Sequence, residues 1–238
     1  MRYIGILGFI AMIGITLLVA LIPIKYRKHL IFIAALFLFF FKTIEYTSYA
    51  LTFQMDKIPV EFSTITYFVF SLTILFNLKF LKPFATFSAF ISGTGYLLSF
   101  IFLGQYYFEV LPTFNATMAF IDHGLLFMAS ILMMRNDFYR NATTRNLMWL
   151  SAFYMVYALL VNYIVPYSDQ YIFIRMLLSG QLIHYVLPSL ELNAYMYMLY
   201  FLLIIGGFRL IIWLFHTLNK HIYDIPDLER TFAYERSI

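Results

Sequence analysis

What most constrains this chain is where its charges are missing: apolar runs lie near residues 3–24, 30–51, 59–78, 83–104, 114–134, 146–165 and 194–215, with short polar clusters between them. A hydrocarbon layer about 30 Å thick is crossed by about 20 helical residues rising 1.5 Å each, and these runs match that length. Only helices make so many single crossings, because each satisfies its backbone hydrogen bonds within itself. The expected fold is all-α, a polytopic membrane protein of seven transmembrane helices, with one domain over 1–216 and a short tail over 217–238. Composition agrees, since 63% of residues are hydrophobic and 12% charged, against about 25% charged in a soluble domain. The first run, Tyr3 to Ile24, is longer than the apolar core of a secretory signal and is followed at once by Lys25, Arg27 and Lys28, so it is expected to be a retained helix.

Lys and Arg accumulate on the cytoplasmic side of membrane proteins. Alternate loops hold Lys25, Arg27 and Lys28, then Lys79 and Lys82, then Arg135, Arg140 and Arg145, and the tail adds Lys220, Arg230 and Arg236, eleven of the sixteen basic residues. The opposite side holds Arg2, Lys57 and Arg175. This bias puts the amino terminus outside and the carboxyl tail in the cytoplasm of a multi-pass cell-membrane protein. Segment 171–187 is apolar but carries Arg175, Gln181 and His184, and letting it span would weaken the bias to eight against six. It is therefore expected to be an outer re-entrant or interfacial segment.

The net charge of +4 is spent in these topological clusters, so it argues for membrane lipids as partners and not for nucleic acid. Cysteine is absent, which excludes disulfides, thiolate metal sites and a cysteine nucleophile. No nucleotide loop, zinc signature or haem motif is present, so neither a cofactor nor a metal is expected. Ser88, Ser92, Gly95 and Ser99, spaced by four, three and four, give the fourth helix a small face for close packing; Gly5, Gly8 and Met12 give the first helix a poorer one.

A charge at mid-bilayer costs about 2.5–3.5 kcal/mol on insertion scales, so ionisable groups inside the spans need a partner or a task. Lys42 and Glu45, three apart on the second helix, share a face and suit an internal ion pair. Glu61 and Ser63 open the third helix. Asp122 and His123 lie near mid-depth on the fifth, and because adjacent helical residues point about 100° apart, Asp122 is badly placed to orient His123. An orienting acid is expected from another helix, with Glu45 or Glu61 as candidates. Asn162, near the outer end of the sixth helix, suits an interhelical hydrogen bond or a substrate contact. All these groups fall in the outer half, with Ser63 about 6 Å deep, Glu45 about 9 Å, and Lys42 and His123 about 14 Å. A polar cavity opening outward is the expectation.

Three segments, Ile58-Pro59-Val60-Glu61-Phe62-Ser63-Thr64-Ile65, Phe120-Ile121-Asp122-His123-Gly124 and Val161-Asn162-Tyr163, resemble in order those of the YwaF-like bacterial membrane proteins, which are related to vertebrate transmembrane protein 164. The resemblance covers the third to seventh helices. It implies polar motifs at the starts of helices three and five and, from the vertebrate relative, acyl transfer onto lysophospholipids. The family's helix-three motif reads Pro-Leu-His-Leu-Cys, so Glu61 stands where it has His and Ser63 where it has Cys, while His123-Gly124 and Asn162 match. A serine nucleophile needs a base, which His123 would supply; Glu61 would orient that base, or the site has kept only a lipid or ligand pocket.

Three functions are consistent with these residues. One is a lipid acyltransferase or acyl hydrolase with Ser63, His123, Glu61 and Asp122 in the catalytic centre, Lys42, Glu45 and Asn162 contacting substrate, and a lysophospholipid or acyl donor as partner. Another is a transporter or transport-associated binding subunit whose Lys42, Glu45, Asp122 and His123 line a substrate or proton path; an odd helix number and no evident internal repeat weigh mildly against a secondary transporter. The third is a non-catalytic scaffold.

Overall fold

The computed structural model describes residues 3–54, 57–139, 143–164, 177, 180, 183 and 193–225. Among them are seven helices and no strand: α1 (Ile4–Ala20), α2 (Ile24–Leu51), α3 (Phe62–Leu75), α4 (Lys82–Val110), α5 (Thr113–Asn136), α6 (Thr144–Ile164) and α7 (Ala194–Asp224). The chain is an all-α membrane protein, and α2, α4, α5 and α7 are each long and apolar enough to cross a bilayer. Pro23 and Pro112 stand immediately before α2 and α5, and Pro83 lies in the first turn of α4. At these places the missing N–H has no helical partner to lose.

Helix α3 is shorter at both ends than the expected run 59–78 and α4 continues to Val110 rather than 104, and two further boundaries bear on the charged segments. Helix α2 starts at Ile24 rather than near residue 30, so Lys25, Arg27 and Lys28 ride on its first turns instead of filling a loop. Helix α7 continues without a break to Asp224, so no change of backbone marks the expected start of a tail at 217; residues 226–238 lie outside the described ones, as does segment 171–187 except for Leu177, Gly180 and Ile183.

The distribution of side chains is inverted relative to a soluble protein. Arg27, Asp122, Asn219 and Ser71 are fully buried, whereas Leu18, Phe40, Ile44, Phe102, Phe153, Leu203 and Trp213 face outward. Continuous apolar surface of this kind is what lipid covers.

Helix α3 has only 14 residues, about 21 Å of rise, and is reached through a non-helical stretch, 58–61. Carbonyls in such a stretch need partners inside a membrane, and α6 supplies them: the Tyr154 hydroxyl donates to Val60 O at 2.9 Å and that of Tyr157 to Pro59 O at 2.7 Å. Phe62 packs edge-on against Tyr154, ring centroids 5.0 Å apart. The opposite end of the bundle is tied differently. Asn219 on α7 accepts from the Tyr139 backbone N–H at 2.8 Å and donates to the carbonyls of Met134 and Asp137. His216 lies 3.1 Å from Tyr139 O, and Tyr139 shares a 2.8 Å bond with Thr86 on α4. Burial there pushes the Tyr139 phenol above its ordinary range.

Helices α4 and α5 form the central pair, and α1 lies across both. The close approach of α4 to α5 is at Gly93, where a Cβ would stand 2.5 Å from Phe127 N, while Gly95, expected in this role, faces open space. On α1 the stripe judged poorer is the one used. Gly5 meets the carbonyls of Phe100 and Ile101, Gly8 meets the rings of Phe100 and Phe120, and Met12 occupies the space left by Gly124. Gly93→Ala should therefore lower the melting temperature in detergent by an amount equivalent to about 1–3 kcal/mol, with Gly95→Ala indistinguishable from the parent; equal effects would show that this contact does not set the α4–α5 distance.

Candidate functional site

Mid-depth on the bundle, α2 and α5 are joined by a buried ionic cluster. Lys42 lies 2.8 Å from Glu45 Oε2 and 2.6 Å from Asp122 Oδ2. The pair expected within α2 is thus formed, and it is extended to α5, which places the ionisable groups of the two helices at one depth. Lys42 is 8% exposed and Asp122 0%, while the Glu45 side chain keeps 30% of its surface. Asp122 Oδ1 is buried without a hydrogen-bond partner among the described residues. Glu45 Oε1 accepts from the Tyr49 hydroxyl at 3.0 Å. Two carboxyl groups thus share one ammonium: the cluster is one negative charge over if both are ionised and neutral if one holds a proton.

Tyr67 on α3 couples this cluster to the histidine. Lys42 Nζ sits 4.7 Å from the centre of the Tyr67 ring, within range of a cation–π attraction. The Tyr67 hydroxyl lies 3.0 Å from His123 Nδ1 and 3.2 Å from its Nε2. His123 Nδ1 is also 2.8 Å from Ala119 O, so the tautomer that satisfies both contacts carries its proton on Nδ1, donates it to that carbonyl, and receives the Tyr67 O–H on Nε2. The imidazole stacks on Tyr96 of α4, centroids 4.0 Å apart and planes 12° from parallel. Three helices hold this ring, and the group that orients it is a phenol, not the carboxylate expected from Glu45 or Glu61.

The surroundings are polar on one side and dry on the other. One turn further in from Lys42, Tyr67 and Asp122 come Leu38, Phe70 and Leu126, each 0% exposed and packed in one core. One turn further out, Tyr46 donates to Thr64 Oγ1 at 3.2 Å beside Glu45.

The remaining sequence candidates are placed less tightly. Ser63 is half-buried one turn before Tyr67 on α3, and no hydrogen bond joins it to His123 among the described residues. Glu61 is the residue preceding α3, in extended conformation, and its side chain does not cap the helix. Asn162 lies on α6, with its side chain outside the described residues. What sequence reasoning missed is the phenols. Tyr49 meets Glu45, Tyr67 meets Lys42 and His123, Tyr96 stacks on His123 and Tyr46 bonds Thr64, and the only signal for them was spacing: Tyr46 and Tyr49 follow Lys42 at four and seven, and Tyr67 follows Ser63 at four. Among the described residues no group of three or more His, Asp or Glu side chains is arranged to hold a metal ion.

Compared with known protein families, curated proteins and solved structures, the chain matches none.

Removing one member of a buried ion pair strands the other, at about 3–5 kcal/mol, whereas replacing both with apolar residues is close to neutral. Lys42→Met should accordingly lower the unfolding temperature in detergent sharply, and Lys42→Met combined with Asp122→Leu should recover most of the loss. Additive losses in the double variant would show that the two side chains do not depend on each other.

Proposed function

We propose that this chain is the proton-binding membrane subunit of a transport system, with Lys42, Glu45 and Asp122 holding the coupling proton. The observation that carries the reading is the shared ammonium: two carboxyl groups converge on Lys42 and leave a buried carboxylate oxygen, Asp122 Oδ1, unpartnered among the described residues. An uncompensated charge in hydrocarbon is costly, and one proton removes it. Ionisable residues arranged this way inside a membrane are a common means of moving protons.

Access supports the same reading. Glu45 is the member with open surface, and the dry layer of Leu38, Phe70 and Leu126 lies beyond Asp122. The proton therefore loads from the end where α2 finishes, which the basic loops make the external side. The Tyr67 ring face meets Lys42, and its hydroxyl, on the far side of the ring, meets His123. In membrane vesicles from cells with and without the chain, loaded with a pH-sensitive dye, proton uptake driven by an imposed potential should require the chain. It should fall at least about tenfold in Asp122→Asn. Equal uptake with and without the chain, or in the Asn variant, would sink the proposal.

Acyl transfer onto a lysophospholipid is the second reading, favoured by the position of Ser63 on the same face of α3 as Tyr67, the residue that holds His123. It predicts an acyl-chain profile, read by lipid mass spectrometry, that changes on deleting the chain and stays changed when Ser63→Ala is restored in its place. A Ser63→Ala variant that restores the profile would remove serine catalysis.

A further inference from the structure

At the basic end of the bundle, far from the ionic cluster, the start of α2, the end of α3, the start of α4 and the end of α5 enclose a cavity of about 320 Å³. Its polar lining is Lys28, Thr73, Asn77, Lys82, Asn136 and Asp137. Three observations point to an absent anion. First, Thr73 is 2% exposed and its hydroxyl, a potential donor, has no hydrogen-bond partner among the described residues. Buried hydroxyls on helices ordinarily find an acceptor, so an orphan lining a cavity marks a place where a ligand oxygen would fit. Second, the charge does not balance: Lys82 is paired with Asp137 at 2.8 Å, while Lys28, exposed on α2, has no ion-pair partner among the described residues. One positive charge is left at the mouth. Third, the wall between the polar groups and lipid is apolar, built from Ile31, Phe32 and Ile74, with Phe32 47% exposed on the lipid-facing side.

We infer that this cavity binds the phosphodiester headgroup of an anionic phospholipid. The phosphate would sit against Lys28 and Lys82 and accept from the Thr73 hydroxyl. A monoanionic phosphodiester restores neutrality with Lys28, Lys82 and Asp137, which a zwitterionic headgroup does not. The volume lies at the lower end of the about 300–1,000 Å³ usual for small-ligand pockets, enough for a headgroup and too little for a whole lipid. The acyl chains therefore run outside, along the exposed face of Phe32. Basic pockets between transmembrane helices are suited to lipid headgroups for these reasons. Free phosphate offers the same oxygens but gains nothing from the apolar wall.

The test is the thermal shift of the purified full-length protein in detergent, titrated separately with phosphatidylglycerol, phosphatidylcholine and inorganic phosphate. Phosphatidylglycerol should raise the melting temperature saturably, and the other two should not. Lys28→Gln, a change at an exposed side chain with no ion-pair partner among the described residues, should weaken half-saturation about fivefold, the effect of one basic group near an anionic surface. Asp137→Asn, which removes the competing carboxylate, should tighten it, an outcome that a merely structural role for these residues does not produce. Equal shifts with phosphatidylcholine, an unchanged midpoint in Lys28→Gln, or weaker binding in Asp137→Asn would each overturn the assignment. A full shift with phosphate alone would replace the lipid by a soluble anion and overturn it as stated.

Discussion

A single ammonium group holds the middle of this protein together. Lys42 reaches Asp122 on α5, Glu45 on its own helix and the face of Tyr67 on α3, so three helices meet on one charge. In water such contacts are individually weak, because solvent screens them. In a dry bundle the same contacts are obligatory, since each partner would otherwise be an unpaired charge in a medium that cannot solvate it. The register of α2 against α5 follows from that requirement. A slip of one residue along either helix would turn Lys42 about 100° away from Asp122 and leave both buried and unsatisfied.

Around this point the bundle is polarised along its axis. Hydroxyls and the partly open Glu45 lie on one side, and a closed layer of Leu38, Phe70 and Leu126 on the other. The two ends are also held by different chemistry. Near the start of α3 the tyrosines of α6 satisfy exposed carbonyls, and at the basic end Asn219 and His216 of α7 do the same for the turn after α5. Each end uses side chains of a neighbouring helix where the backbone leaves helical geometry, which is the condition a membrane sets on irregular segments.

How much of this the sequence disclosed depended on whether the signal was local. Helix number and approximate place followed from runs of apolar residues, which are local and long. The Lys42–Glu45 contact was also legible, because i and i+3 on a helix are neighbours whatever the rest of the chain does. Asp122 as a partner of Lys42 was not, since that pairing depends on the rotation of α5 about its axis. Tyr67 and Tyr96 were hidden by abundance: among 20 tyrosines, nothing marks the few whose hydroxyls or rings meet Lys42 or His123. Gly95 was preferred over Gly93 because a serine-glycine pattern reports small volume, whereas close approach depends on which small residue faces Phe127. Glu61 was singled out as an ionisable group at the start of a span and Ser63 gained weight from the resemblance, and the geometry of α3 places the contact to His123 one turn further along than Ser63, at Tyr67.

Helix α7 has 31 residues, about 46 Å of length against a hydrocarbon layer of about 30 Å. A free helix relieves such a surplus by tilting. This one is pinned near its lower end, where Asn219 grips the turn after α5 and Arg135 reaches the carbonyls of Ile222 and Ile225. The final two turns thus act as a splint bound to the base of α5. A pull or a docking event on the segment beyond Asp224 would be handed through those bonds to the base of α5, and along α5 to Asp122.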